Sequence, residues 1–194
     1  MSLVIAIKTK DNVLMSADSR VSQGENLKCI QSMDEAKVVK TGDVYIGGVG
    51  TVSEIQIMKS HHEWFRLNGK PLTKKFLVKN VIPAYYDELK RLGKFKSKDD
   101  SMDDPSCGSR FLITDGKRLF LIFRDFFVME VEKNSVIGCG SCFSEPLLDK
   151  RLCKMGENEA MLEVLRRCSI HYTSIAPPYI FINTKEGLFE RVEK

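Results

Sequence analysis

The chain opens on an apolar run, Leu3-Val4-Ile5-Ala6-Ile7, dominated by β-branched residues and beginning almost at the first residue. It predicts a strand over 3–8, and the turn Lys10-Asp11-Asn12 then leads into Val13–Asp18, giving a hairpin. A second hairpin is predicted from 36–40 to 44–48 across Thr41-Gly42-Asp43. From Thr51 the period changes. Ile55, Met58, His62 and Phe65 recur at helical spacing, with a stop expected near Asn68-Gly69. Residues 74–92 read as a second helix burying Phe76, Val81, Tyr85, Leu89 and Leu92, with Pro83 marking a kink or a boundary. The polar stretch 94–108 reads as a mobile loop. Strands resume at 110–114, 118–123, 126–131 and 135–137; helices follow at 144–154 and 157–169. Strands 179–183 and 188–192, joined by Lys185-Glu186-Gly187, finish the chain.

Strands, two helices, strands, two helices and strands again form segregated blocks. That order indicates a layered α+β sandwich and argues against an alternating βαβ fold. The chain's 194 residues suit a single domain, 1–194, with a sizeable core.

Composition adds mainly exclusions. The 30 basic and 26 acidic residues are spread along the chain, and the densest cluster, Lys90–Lys98, is answered at once by Asp99, Asp100, Asp103 and Asp104. This is a solvated charged loop with no interleaved aromatics, so no nucleic-acid partner is expected. No early run has the form of a signal peptide, and none approaches the ~20 apolar residues of a membrane span. A cytoplasmic protein that does not engage membranes is expected. Among the six cysteines, Cys139 and Cys142 form a C-x-x-C that raises zinc or redox chemistry. No second pair exists, and His61, His62 and His171 do not complete a zinc spacing, so free thiols and no metal or cofactor are expected.

A strand starting at residue 2 or 3 bears on chemistry. Termini fray unless tied down, and one built into a central strand holds its α-amino group in a fixed place. That amine has an ordinary pKa of about 7.7–8.0, near what a general base needs at neutral pH. Once Met1 is trimmed, Ser2 carries a hydroxyl and a free amine on one carbon, the minimal unit of an N-terminal nucleophile. A Met-Ser start is common and carries little by itself. Spacing adds more. Ser2-Leu3-Val4, Lys10–Val13 and Ala17-Asp18-Ser19-Arg20-Val21-Ser22-Gln23-Gly24 follow in order, with Ser2 and Asp18 sixteen residues apart. Then come Ala36-Lys37-Val38-Val39-Lys40, Gly47-Gly48-Val49-Gly50-Thr51-Val52-Ser53-Glu54 and, later, Ile137-Gly138-Cys139-Gly140-Ser141.

This series resembles the proteasome β subunits and HslV, peptidases of the N-terminal-nucleophile (Ntn) hydrolase superfamily, over nearly the whole chain. The resemblance implies a four-layer αββα sandwich. It also implies a peptide or unfolded-protein substrate, a homo-oligomeric ring and an ATP-dependent AAA+ unfoldase as partner. Its catalytic roles fall on Ser2 as nucleophile, on Lys37 as the nearby ammonium, on Asp18 as its anchor, on the Gly50 amide at the oxyanion and on Cys139 beside the nucleophile's amine. Lys28 and Lys40 remain rivals of Lys37, because the Gly24–Lys37 segment is longer than the family's. An extended substrate would pair with backbone near Ser22 and Gly48–Gly50. Its pocket would be lined by Val21, Glu35, Val39, Gly48 and Val52, favouring large P1 side chains, with Glu35 admitting a basic one.

Three departures separate this sequence from the proteasome pattern. Serine replaces threonine, losing the methyl that restricts χ1. Cys139 stands where the family has a serine, and a thiol is a weaker hydrogen-bonding group. Residues 170–178 contain no aspartate, which proteasome β subunits carry after the late helix and HslV lacks. The divergence leaves two further readings: a non-catalytic ring or scaffold subunit retaining Met1, and an Ntn amidase or peptide ligase.

Overall fold

In a computed structural model, which describes residues 2–23, 26–30, 32–94 and 107–193, two five-stranded antiparallel sheets stack face to face. The first has the order β10 (Asn134–Gly138), β1 (Leu3–Lys8), β2 (Val13–Ala17), β11 (Tyr179–Asn183), β12 (Leu188–Val192). The second runs β5 (Val38–Thr41), β6 (Val44–Val49), β7 (Arg110–Thr114), β8 (Leu119–Ile122), β9 (Val128–Val131). A separate two-stranded ribbon joins β3 (Arg20–Gln23) to β4 (Asn26–Cys29).

Strand alternation explains the layers. In β1, Val4 and Ala6 face the second sheet, with Met15, Val38, Leu112 and Ile180 in the same core. Leu3, Ile5 and Ile7 face the other way, onto Met161, Val164, Leu165 and Cys168 of α5 (Glu157–His171) and Leu148 of α4 (Ser141–Leu152). The outer face of the second sheet, through Ile46, Phe111, Ile113 and Phe120, buries Ile55 and Met58 of α1 (Val52–Ser60). Tyr85 and Leu89 of α3 (Ile82–Arg91) join that core. Three cores therefore separate four layers, helix–sheet–sheet–helix: the αββα sandwich. Burial on both faces is why β1 reads as one continuous apolar run.

The predicted second helix is a composite. A short α2 (Lys74–Phe76) passes through a π-helical stretch (Leu77–Val81) into α3. The Ile82 N–H reaches back to the Leu77 carbonyl, and Pro83, which has no N–H to donate, occupies the first turn of α3. The wider turn absorbs the proline without ending the helix. α4 begins three residues before its predicted start, and the β3–β4 ribbon has no counterpart among the predicted strands. Of the expected loop 94–108, residues 95–106 lie outside the described residues. No helix among the described residues is long and apolar enough to cross a membrane.

Candidate active site

β1 carries Ser2 to the end of the first sheet's middle, between two neighbours that fix it. On one side Cys139 N–H donates to the Ser2 carbonyl at 2.9 Å, just past the pairing of Leu3 with Gly138. Gly138 has φ 117°, and a Cβ there would overlap the Ser2 carbonyl. Glycine is required for this approach. On the other side Asp18, at the end of β2, accepts the Leu3 N–H on Oδ1 at 2.8 Å, and its own N–H donates to the Leu3 carbonyl at 3.3 Å.

Asp18 is fully buried, and its second oxygen takes Arg20 N–H at 2.9 Å and Lys37 Nζ at 2.7 Å. Lys37, 5% exposed, also donates to the Arg20 carbonyl at 2.6 Å. Asp18 is thus no surface ion-pair residue. Burial pushes the Lys37 ammonium below its ordinary pKa, against the opposing pull of Asp18. Its bonds to Asp18 and the Arg20 carbonyl use two of the ammonium's three hydrogens and leave the third for a group in the cleft. Of the rival lysines, Lys28 is exposed on β4 and lines the same cleft, whereas Lys40 is exposed over the Tyr45 ring.

The cleft has a volume of about 880 Å³, and Ser2, Lys37, Gly50, Val21, Glu35 and Val52 all line it. Six of the eleven residues marked in the sequence therefore share one wall system, with Asp18 beneath it. Cys139 sits behind Ser2, its Sγ 3.5 Å from the Ser2 carbonyl and 3.4 Å from Ser174 Oγ. Ser22 lies in β3, opposite Leu27 of β4.

Val39 and Gly48 do not join the cleft lining among the described residues, contrary to expectation. Val39 belongs to the core between the sheets and opens on a second hollow with Met33 and Phe189. The open side of Gly48 is filled by Ile55 and Phe111, so the room expected there for a large side chain is already occupied. Alternation along β6 turns Gly47 toward the first sheet and Gly48 toward α1. Gly50 is glycine because of its own backbone surroundings. Its φ is 126°, and a Cβ would run into the Gly108 carbonyl and Ser109, which are the chain's own backbone and not a substrate.

Ser174 and Cys29 were not marked by sequence. Ser174 is buried in the 173–176 turn, which is latched to the site by Arg20 Nη1 donating to the Thr173 carbonyl and Ser19 N–H to the Ala176 carbonyl. Cys29 lines the cleft and is exposed there. Nothing in the local pattern around Cys29 signals the site, whereas Ser174 falls in the stretch 170–178 after the late helix, where proteasome β subunits carry a serine. All six cysteines are free, and the described residues contain no cluster of three or more metal-ligating side chains.

The overall arrangement matches solved structures end to end. Thiobacillus denitrificans BPH superposes with a TM-score of 0.74 at 14% identity, covering 98% of each chain. The same protein in complex with epoxomicin gives 0.69 at 14% identity, over 99% of this chain and 100% of that one. The chain has a proteasome-like fold. Anbu from Pseudomonas aeruginosa, solved as a helical assembly of the Anbu complex, matches at 0.69 and 14% identity, over 99% of this chain and 87% of that one. No family model matches the sequence, and no curated protein does. At this identity the likeness is one of fold.

Proposed function

We propose that the chain is an N-terminal-nucleophile peptidase of the proteasome-like kind, with Ser2 as nucleophile once Met1 is removed. One observation carries the reading: Lys37, paired with the buried Asp18 that is pinned to the first peptide of β1, lines the same cleft as Ser2 and Gly50. Ser2 Oγ attacks a peptide carbonyl while its proton passes to the Ser2 α-amine, directly or through a water. Lys37 lowers the cost of negative charge on Oγ, and Asp18 holds Lys37 in place. The Gly50 N–H receives the oxyanion. The amine returns the proton to the leaving nitrogen, and water hydrolyses the acyl-enzyme. Val21, Glu35 and Val52 meet the substrate side chain, while the β3 backbone at Ser22 pairs with an extended peptide. That the Thiobacillus protein of this fold is solved in complex with epoxomicin supports the peptidase reading.

Self-assembly belongs to the same reading. The helical Anbu assembly supports association of copies, and light scattering with electron microscopy distinguishes an open helix from the closed HslV-type ring. An AAA+ unfoldase feeding the particle, a single domain over 1–194 and a cytoplasmic location complete the proposal. The decisive test is intact mass before and after incubation with a peptide epoxyketone. Loss of Met1 with one adduct, absent in Ser2→Ala, is the expected result; retained Met1 with no adduct overturns it. The second reading, a scaffold subunit, draws on Cys139: a thiol engaged with Ser174 stands where a hydroxyl would serve proton transfer better.

A further inference from the structure

The first turn of α1 does not use the cap its sequence offers. Thr51-Val52-Ser53-Glu54 has the form of a capping box, in which the glutamate at the third helical position accepts the N–H of the capping residue. Here Thr51 N–H is instead taken at 3.1 Å by Ser109 Oγ, from the residue just before β7, and the same hydroxyl lies 3.4 Å from the Thr51 carbonyl. Ser109 is fully buried. Glu54 is also buried, and its Oε2 has no hydrogen-bond partner. Leaving a buried carboxylate oxygen unpaired is costly, so a neutral hydroxyl at Thr51 calls for a reason.

Geometry supplies one. Gly50, immediately before Thr51, is pressed against the Gly108 carbonyl, Ser109 Cα and Ser109 Oγ, with no room for a Cβ. Ser109 therefore touches the Gly50–Thr51 turn by packing and by hydrogen bonding together. Cys107 Sγ at 3.2 Å from the Ser109 carbonyl braces the segment from behind. A carboxylate at Thr51 N–H would place negative charge one residue from the Gly50 amide, where an oxyanion must develop. A hydroxyl fixes the same turn without that repulsion.

We infer that Ser109 is a positioning residue of the oxyanion site: it caps Thr51 in place of Glu54, aligning the Gly50 N–H while keeping the glutamate's charge off the reacting carbonyl. The inference rests on the peptidase reading above. In the absence of Ser109, Glu54 is free to swing back to the Thr51 N–H and close the ordinary capping box.

The test uses the full chain with Met1 removed, a fluorogenic peptide, and active sites titrated with a peptide epoxyketone so that rates are expressed per labelled site. Ser109→Ala lowers kcat per site by about tenfold, less than outright loss of an oxyanion donor, while KM changes by less than about twofold. Adding Glu54→Gln to Ser109→Ala restores kcat by about threefold or more, because the restored cap is then uncharged. A merely structural role for Ser109 predicts a lower melting temperature and fewer labelled sites, with unchanged turnover at each. Should Ser109→Ala not fold, Ser109→Cys keeps the volume with a poor hydrogen-bonding group and carries the same expectation. Unchanged kcat per site, a change confined to KM, or a fall that Glu54→Gln does not relieve overturns the inference. A wild-type chain that neither labels nor turns over overturns the peptidase reading and this one with it. That result is distinct, because every other outcome starts from an active wild type.

Discussion

Replacing Asp18 with asparagine tests the connection between the fold and the site. The carboxylate is fully buried and accepts three hydrogen bonds, from Leu3 N–H, Arg20 N–H and Lys37 Nζ at 2.8, 2.9 and 2.7 Å. Asparagine keeps the shape but offers one acceptor oxygen and one NH2. Turned one way, the NH2 faces Leu3 N–H; turned the other, it faces Arg20 N–H and Lys37 Nζ. A donor meets a donor in both. Lys37 loses its counter-ion in either orientation, while the Arg20 carbonyl still accepts from it. Removing one partner of a buried pair costs about 3–5 kcal/mol. Lys37 can shed its proton and so limit the loss, and the lower end, about 3 kcal/mol, is the expectation for Asp18→Asn.

Urea unfolding of both proteins between pH 7 and pH 10 checks it. Burial holds the folded Lys37 below its ordinary value of 10.5. Between that depressed value and 10.5 the unfolded chain binds the proton and the folded chain does not, so this lysine makes stability rise with pH across that window. Asp18 is the main influence raising the folded value. Its loss moves the lower edge of the window further down, and Asp18→Asn therefore gains more stability than wild type as pH rises. A loss below about 1 kcal/mol, with parallel pH curves for the two proteins, would refute the account of a tightly coupled buried pair.

Three other substitutions bear on the site. Gly138→Ala forces a Cβ onto the Ser2 carbonyl at φ 117°; a loss of about 2–4 kcal/mol in chemical unfolding and failure of epoxyketone labelling are expected. Gly50→Ala at φ 126° meets the Gly108 carbonyl and Ser109, and stopped-flow or quenched labelling should slow by about 10²–10³-fold as the oxyanion donor is displaced. Cys139→Ser places a stronger hydrogen-bonding group between the Ser2 carbonyl and Ser174, and labelling should quicken by about threefold to tenfold; a rate below wild type would mean the thiol is no handicap.

What the sequence disclosed, and what it concealed, follows the range over which each feature is determined. The strand–helix blocks were legible because alternation and the 3.6-residue period are local, and the two-faced burial of β1 is written in its five consecutive apolar residues. Asp18 and Lys37 came through a spacing that the resemblance made readable, although neither residue's neighbours reveal that both are buried. Pocket-facing direction was less accessible. In the sequence Gly48 reads as a pocket wall, yet space beside a glycine belongs to whatever packs there, and Ile55 comes from a different element. The β3–β4 ribbon was missed because Arg20–Cys29 is polar and unperiodic, held by its own ladder and by Ile30 N–H donating to the Ser19 carbonyl. Ser109 was invisible for the same reason in sharper form. It lies 58 residues from Thr51, and the local motif points to Glu54 instead. Local rules thus erred at a turn beside the proposed oxyanion site, where a neutral cap from a residue 58 positions away displaces the charged one written nearby.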